Sequence, residues 1–587
     1  TKYKKESREW NISLVESVLS VAFFRYFEDI GIRNINDEQY LKVSLLEKPS
    51  NEQLLSKLKK LANSQEKFGE SGSNVSQLIS EDLLTRIANV VSQKDIFHDF
   101  TNLFWTDNSV VDLSDLGIHF FGDAYQLFAN KNDLNGADGQ YFTGSDLARE
   151  TALYFIEDET RNVSVGEDEV IYDPFVGSGQ LLRALIPFYH LLLQGQLRDP
   201  SIISGMRTLA LRLRGTDIDK NACWLARMSL AIVTAEQNKP ILTFDEQIKC
   251  VDVFDKCFGS TPTNWQSSID ISGKIRAVIT NPPWKQLEIQ EKQLFSSENN
   301  CSLPTEKNSL LWRKYRKWSK SGGRERVNIL RKKIELIRDK HKETFHRATG
   351  SKVNVALSAV DFIDRLPGSR NKKWVCFLPD AFFIGTNEIR KAVNVRRYYS
   401  FVSNDHFKGA DKVMKFGVAF GGGSSSQKVF CHPLGLTLKF DVSEVFSRLG
   451  ILPIYGSLDE ALVQSFWFKY SKRTNSWYDG EFNRSSQKNI GASQSKKGKP
   501  VRGTKSSINK ISKRCDFSSS SISYWTDVKI DQLDKYRVIV RDSRPNSTKQ
   551  KILWAGIHKP GKDGVPAGCL IEDSWNYFYS TQKSSEA

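Results

Sequence analysis

Long apolar runs are missing from this 587-residue sequence. None reaches the roughly 18 residues needed to span a bilayer, which argues against a helical membrane protein. No charged-then-apolar signal pattern opens the chain, so the expected compartment is the cytoplasm and no membrane partner is expected. Cysteine is sparse and unpaired. The eight residues (Cys223, Cys250, Cys257, Cys301, Cys376, Cys431, Cys515 and Cys569) show no C-x-x-C spacing. They read as reduced thiols, neither a disulfide framework nor a zinc site. An acidic excess is absent too: 84 Lys+Arg stand against 68 Asp+Glu, a net charge of +16. Such an excess points to a polyanionic partner, nucleic acid before an anionic membrane. A soluble protein with a merely basic surface has the same composition. What is present suits large soluble domains with cores, since 39% of residues are hydrophobic and 11% aromatic. The length allows about three or four domains.

Residues 1 to about 125 read as helical. In "WNISLVESVLSVAFFRYFEDIGI", Ile12, Leu14, Val15, Val18, Leu19, Ala22, Phe23 and Phe27 fall mostly on one face at helical spacing. From about 139 the pattern changes. "VIYDPF", "LRLRGTDI", "IKCVDVF", "KIRAVIT" and "KWVCFLP" read as short buried strands with helical stretches between them. That alternation predicts a parallel, doubly wound α/β sheet. A basic insertion at 285–350 interleaves Trp312, Tyr315 and Trp318 with cations. It reads either as a solvated helical hairpin or, given its place, as a track for a nucleic-acid backbone. A third region is expected from the glycine run Gly421-Gly422-Gly423. It holds a polar tract at 471–521 that reads as mobile, then a β-like end containing "YRVIVRDSR".

Five stretches carry chemistry. In "VITNPPWKQ", prolines 282 and 283 end a buried strand, because proline cannot donate to a sheet ladder. Asn281 and Trp284 are then held at a strand's carboxyl edge, where open α/β sheets bind ligands. In "YDPFVGSGQLL", a strand ends at Asp173 and a tight loop with Gly177, Ser178 and Gly179 opens a helix. Glycines there admit a ligand close to the backbone. The spacing matches neither G-x-G-x-x-G nor a P-loop. "GTDIDKNA" puts Asp217 at the next strand's end, where a carboxylate commonly accepts ribose hydroxyls. Asp219, two residues on, reads instead as a helix N-cap. "KCVDVFD" puts Asp252 at the end of a third strand, and "GQYFTGSDLARETALYFI" places Tyr141 and Thr143 in a turn before an amphipathic helix.

In chain order these pieces resemble the γ-class amino-methyltransferases, which methylate N6 of adenine in DNA with S-adenosyl-L-methionine. "GQYFTG" is similar to that family's Tyr-Thr-Pro motif, "DPFVGSG" to its Asp-Pro-x-x-Gly-x-Gly loop, and "NPPW" to its Asn-Pro-Pro-aromatic motif. The resemblance covers about 115 to 420 and is closest in flavour to type I modification subunits and the methylase part of type IIG and phage-defence enzymes. It implies a Rossmann-like class I methyltransferase sheet over 126–420. A helical domain would occupy 1–125. An α+β region for target recognition or partner binding would occupy 421–587. It also implies roles. Thr143, Asp173 and Gly177 would hold the cofactor's methionine end, Asp217 its ribose and Asp252 its adenine, with Tyr141, Pro174, Gly179 and Asn281 also in the cofactor site. Asn281, Pro282, Pro283 and Trp284 would form the catalytic loop, with Trp284 and Phe407 stacking on the target base and Phe416 the alternative to Phe407. Gly144 stands where the family has Pro, Trp284 where Tyr or Phe is commoner, and the basic insertion is unusually long.

The expectation is therefore a site-specific, metal-independent adenine-N6 methyltransferase acting on double-stranded DNA by base flipping, within a restriction–modification or phage-defence system. Specificity, nuclease or other defence subunits are the partners implied besides DNA. Two alternatives stay open: an RNA or protein-glutamine amino-methyltransferase, and a DNA-binding methylase-fold scaffold without turnover.

Overall fold

The computed structural model describes residues 143–159, 165–193, 202–234, 244–284, 286–287, 291–299, 310–348, 353–369, 372–384, 388–402, 415–422, 428–433, 438–455 and 461–462, together with Leu19, the short strands at 67–68 and 73–74, and seven strands between 482 and 580. The chain divides into one compact unit spanning Thr1–Leu458 and a second spanning Asp459–Ala587. Among the described residues no helix is long and apolar enough to cross a membrane.

The first unit is built on a nine-stranded mixed sheet. Its strands are β1 (Glu169–Asp173), β2 (Leu213–Asp217), β3 (Ile248–Cys250), β4 (Lys274–Thr280), β5 (Lys373–Pro379), β6 (Val395–Val402), β7 (Lys415–Gly422), β8 (Phe430–Pro433) and β9 (Phe440–Asp441). They lie in the order β9-β8-β6-β7-β5-β4-β1-β2-β3. β1 to β5 are mutually parallel, while β7 runs antiparallel to both β5 and β6. This is a mixed α/β sheet of methyltransferase type. The central strands are apolar on both faces: Val170, Ile171 and Tyr172 of β1, Val278 and Ile279 of β4, and Val375 to Leu378 of β5 are all buried. Burial on both faces explains why they read as continuous apolar runs rather than alternating ones.

Helix α1 (Ser145–Glu159) precedes β1, and the helices between the parallel strands include α2 (Gln180–Leu185), α3 (Lys220–Val233), α4 (Val253–Cys257), α5 (Glu291–Glu298), α6 (Leu310–Trp318), α7 (Arg324–Thr344) and α8 (Val355–Arg365). β2 and β3 lie on one side of β1, and β4 and β5 on the other. The connections thus reverse direction between β1 and β4, the topological switch point where such sheets open a crevice. Asp173 ends one of these two strands and Asn281 follows the other.

The sheet runs through the boundary expected at 420, which falls inside β7, and continues to Asp441. Gly421 and Gly422, where a new region was expected to begin, are the last two residues of β7. A Cβ on Gly421 would lie 2.0 Å from the Trp374 ring, so glycine lets β7 pass beneath that indole. In the second unit, two strands, Phe482–Ser486 and Lys499–Arg502, lie inside the tract expected to be mobile. They pair with Trp575–Ser580 and Ile522–Thr526. Main-chain pairing with β-prone partners overrides the polar composition there. In the region expected to be helical, Leu19 is helical and buried, while Lys67–Phe68 and Ser73–Asn74 form a short antiparallel pair. The remaining helices expected before 125 lie outside the described residues.

Candidate active site

At the carboxyl end of β1, the Asp173 side chain is completely buried. Its Oδ1 accepts hydrogen bonds from the Thr280 hydroxyl at 2.6 Å and from the Phe175 backbone N–H at 3.0 Å. Among the described residues nothing hydrogen-bonds to Oδ2. Burial raises the carboxyl to about 7, while the bonds from Thr280 and Phe175 pull the other way. The loop that follows needs its glycines. Gly177 and Gly179 have φ of 51° and 80°, the left-handed region where a side chain is strained. A Cβ on Gly179 would also press at 3.0 Å on the Ala226 backbone of α3. That close approach seats α2 against α3.

Asp217 ends β2 and binds this loop. Its Oδ2 accepts from the Gly177 N–H and its Oδ1 from the Asp219 N–H, both at 2.9 Å. Burial pushes it up to about 6 against those two bonds. Each carboxylate oxygen can accept more than one hydrogen bond, so the site for a ligand hydroxyl is not used up. Asp219 caps α3, accepting from the Asn221 N–H at 2.9 Å, in line with its reading as an N-cap. Asp252 also caps a helix: its Oδ1 accepts from the Phe254 and Asp255 N–H groups at the start of α4. Sequence reading gave Asp252 a ligand and overlooked this second duty.

β4 ends at Thr280 and the prolines follow, as their chemistry requires. The Asn281 side-chain N–H donates to Thr143 Oγ at 3.1 Å, joining residues 138 positions apart. That bond fixes the amide and puts its oxygen on the side away from Thr143. Trp284 donates its indole N–H to the Phe377 carbonyl at 3.3 Å. Its ring lies 5.6 Å from Phe416 at a tilt of 46°. Phe416 is fully buried and stacks on Phe377 as well, so it buttresses Trp284 from the core. It is therefore a core aromatic and not the second stacking face. Tyr141 and Phe407 lie outside the described residues.

A cavity of about 420 Å³ unites these parts, with Gly177, Asp217, Asp252, Asn281, Pro282 and Trp284 in its wall. A smaller recess of about 30 Å³ adjoins it, lined by Thr143, Asp173, Gly177 and Asn281 among others. Pro174 lines the larger cavity and Gly179 neither. Gly179 serves the packing of the loop rather than its mouth. Several wall residues were not expected from the sequence. Ile218 is 64% exposed and lines the cavity; an isoleucine directly after a strand-end acid was the available clue. Ile337, Lys340 and His341, from the basic insertion, also belong to the wall.

Asp217, the glycine loop and the Asn-Pro-Pro-Trp turn thus border one crevice at the strand ends of the mixed α/β sheet. Residues 116–324 match the family described as N-6 DNA Methylase. Members of that family are typically S-adenosylmethionine-dependent methyltransferases. No curated protein sequence matches the chain. Among solved structures, the chain is similar to the DrdV–DNA complex at 14% identity and a TM-score of 0.42, covering 92% of this chain and 50% of that one. It is similar to the type IIG restriction endonuclease BpuSI at 13% identity and a TM-score of 0.40, covering 99% and 66%. It is also similar to the type I restriction–modification methyltransferase subunit from Streptococcus thermophilus at 12% identity and a TM-score of 0.38, covering 75% and 86%. The chain thus spans half the length of the DrdV protein.

The residues present fit S-adenosylmethionine. A buried carboxylate oxygen without a partner among the described residues suits an ammonium group. Asp217 suits ribose hydroxyls, and the cavity volume lies within the range of small-molecule sites.

Proposed function

We propose that the chain is a site-specific DNA adenine-N6 methyltransferase that flips its target base into the crevice beside Asn281. The observation that carries this reading is the Asn281 amide, fixed by Thr143 at the switch point and sharing one cavity with Asp217.

An exocyclic amino group is a weak nucleophile because its lone pair is delocalised into the purine. Asn281 accepts one amino hydrogen through its side-chain oxygen and the Pro282 carbonyl accepts the other. Both N–H groups are then engaged, and the nitrogen lone pair is aimed away from the ring. The bound cofactor supplies an electrophilic methyl on sulfur. Holding the reacting nitrogen in near-attack geometry lowers the barrier by up to several kcal/mol. The reaction needs no covalent enzyme intermediate. Trp284 stacks on the extruded ring, worth about 1–3 kcal/mol. A base in a duplex cannot reach a strand-end loop, so it must leave the stack.

The basic insertion supports duplex DNA as the partner. α7 carries eight Lys or Arg against four Asp or Glu in its 21 residues. Asp173 and Thr143 would hold the cofactor's methionine end, Asp217 its ribose and Asp252 its adenine. A restriction–modification or phage-defence setting, with further subunits, belongs to the same reading.

The test is tritiated methyl transfer offered to plasmid DNA, transfer RNA and protein, in EDTA. Label in the adenine of DNA, reduced about 100-fold or more in Asn281→Ala, is the expected result. Label only in RNA or protein would replace the substrate, and an undiminished Asn281→Ala would leave a binding scaffold.

A further inference from the structure

Helix α7 of the basic insertion is fastened near both ends and in the middle. At the start of α7, Val327 is buried with Phe295 and Trp318. The Trp318 indole donates to Glu298 at 2.7 Å, and Arg326 bonds to the same carboxylate at 3.0 Å. At the far end, His341 is buried among Phe254, Phe258 and Phe345, with ring centroids 4.9, 5.2 and 5.5 Å away. Its Nδ1 meets the Ser358 hydroxyl of α8 at 3.2 Å. Arg347 follows with ion pairs to Asp361 and Asp364. Between these anchors the Arg338 guanidinium donates to the Leu287 carbonyl, three residues beyond Trp284. The Leu287 N–H donates in turn to the Val353 carbonyl at 3.0 Å. α7 is therefore tied to the loop that carries Asn281.

The same helix reaches the cavity. Ile337 and Lys340 stand in its wall with Phe254 and Phe258 of the α4 segment. The Lys340 ammonium lies 5.5 Å from the Phe258 ring centroid. Ile337 is 41% exposed and Ile218, across the strand ends, 64%. Two exposed isoleucines in the wall of one cavity leave apolar surface that a flat apolar ligand would cover.

We propose that α7 is a structural wall of the nucleoside end of the cofactor site, with Ile337 and the Lys340 stem covering a bound purine ring. The insertion then serves cofactor binding as well as any contact with nucleic acid. This rests on the reading that the cavity takes an adenosyl cofactor.

The test measures binding of S-adenosylhomocysteine to the full chain by calorimetry. Ile337→Ala weakens it about tenfold, or about 1.4 kcal/mol. Lys340→Ala weakens it about threefold, because the aliphatic stem no longer covers the ring. Leu336→Ala is the control on the same helix: it is 67% exposed and absent from the cavity wall, and it stays within about twofold. All three positions are exposed, so thermal midpoints should match the parent's. Ile337→Ala and Lys340→Ala both within twofold of the parent, while Asp217→Ala loses binding, would overturn the proposal and leave the function standing. A parent that binds no S-adenosylhomocysteine would overturn the function and the proposal with it.

Discussion

Asp173 gives the most direct handle on the site. Its Oδ2 is buried without a partner among the described residues, and burial lifts the carboxyl to about 7. At pH 6 the empty protein therefore holds Asp173 mostly protonated, and at pH 8 mostly ionised. A ligand ammonium at Oδ2 selects the ionised form, so binding below pH 7 must release a proton. The apparent Kd is then multiplied by about elevenfold at pH 6 and about 1.1-fold at pH 8. Binding of S-adenosylhomocysteine tightens about tenfold between those pH values, or about 1.4 kcal/mol. Calorimetry in two buffers of different ionisation enthalpy measures both the affinity and the released proton. Asp173→Asn removes the titrating group, and its profile should flatten at a weaker affinity. A parent with equal Kd at pH 6 and pH 8 and no proton release would refute the reasoning. A slope that survives in Asp173→Asn would instead belong to Asp217, which burial raises to about 6.

The same group predicts an opposite effect on stability. The folded value lies above the unfolded carboxylate value of about 3.9, so the stabilising contribution is present below that value and lost as pH rises through about 7. Without ligand, Asp173→Asn should gain stability over the parent as pH rises from 5 to 8, read as urea midpoints. A variant that loses ground over that interval would show that the empty pocket does not penalise the charge.

Three further outcomes are expected. Trp284→Ala should lower affinity for duplex carrying 2-aminopurine at the target by about 1–3 kcal/mol and reduce the fluorescence change on binding; an unchanged affinity and signal would remove Trp284 from the stack. Reversing Arg331, Lys332 and Lys333 to Glu, all exposed on α7, should weaken duplex binding and reduce the slope of log K against log salt by roughly one for each phosphate no longer neutralised, and an unchanged slope would leave the helix clear of DNA. Gly179→Ala should cost about 1–3 kcal/mol in urea unfolding, because φ of 80° strains any side chain and the added Cβ meets Ala226 at 3.0 Å; a neutral substitution would mean that α2 and α3 can separate freely.

The parts of the site that the sequence discloses are those whose chemistry is local. Two successive prolines cannot donate to a sheet ladder, so Thr280 could be read as the end of β4 and Asn281 as the residue exposed beyond it. Asp219 was legible as an N-cap because capping acts within two residues. The bond from Asn281 to Thr143 spans 138 positions and leaves no periodic trace; a family motif order reaches it, but propensity does not. Asp252 shows how a local duty can hide behind an expected ligand, since one carboxylate oxygen holds the start of α4 whatever else the side chain does. The insertion is the harder case. Its charge run looks the same whether solvent, DNA or the protein itself faces it. The burial of His341 among three phenylalanine rings helps decide where the end of α7 goes, and those rings come from segments before and after the helix. Burial also holds that imidazole down at about 4, hence neutral under ordinary conditions, which suits an anchor rather than a contact for phosphate. The cationic composition that points outward to nucleic acid thus conceals a neutral histidine that turns the same helix inward, toward the cavity.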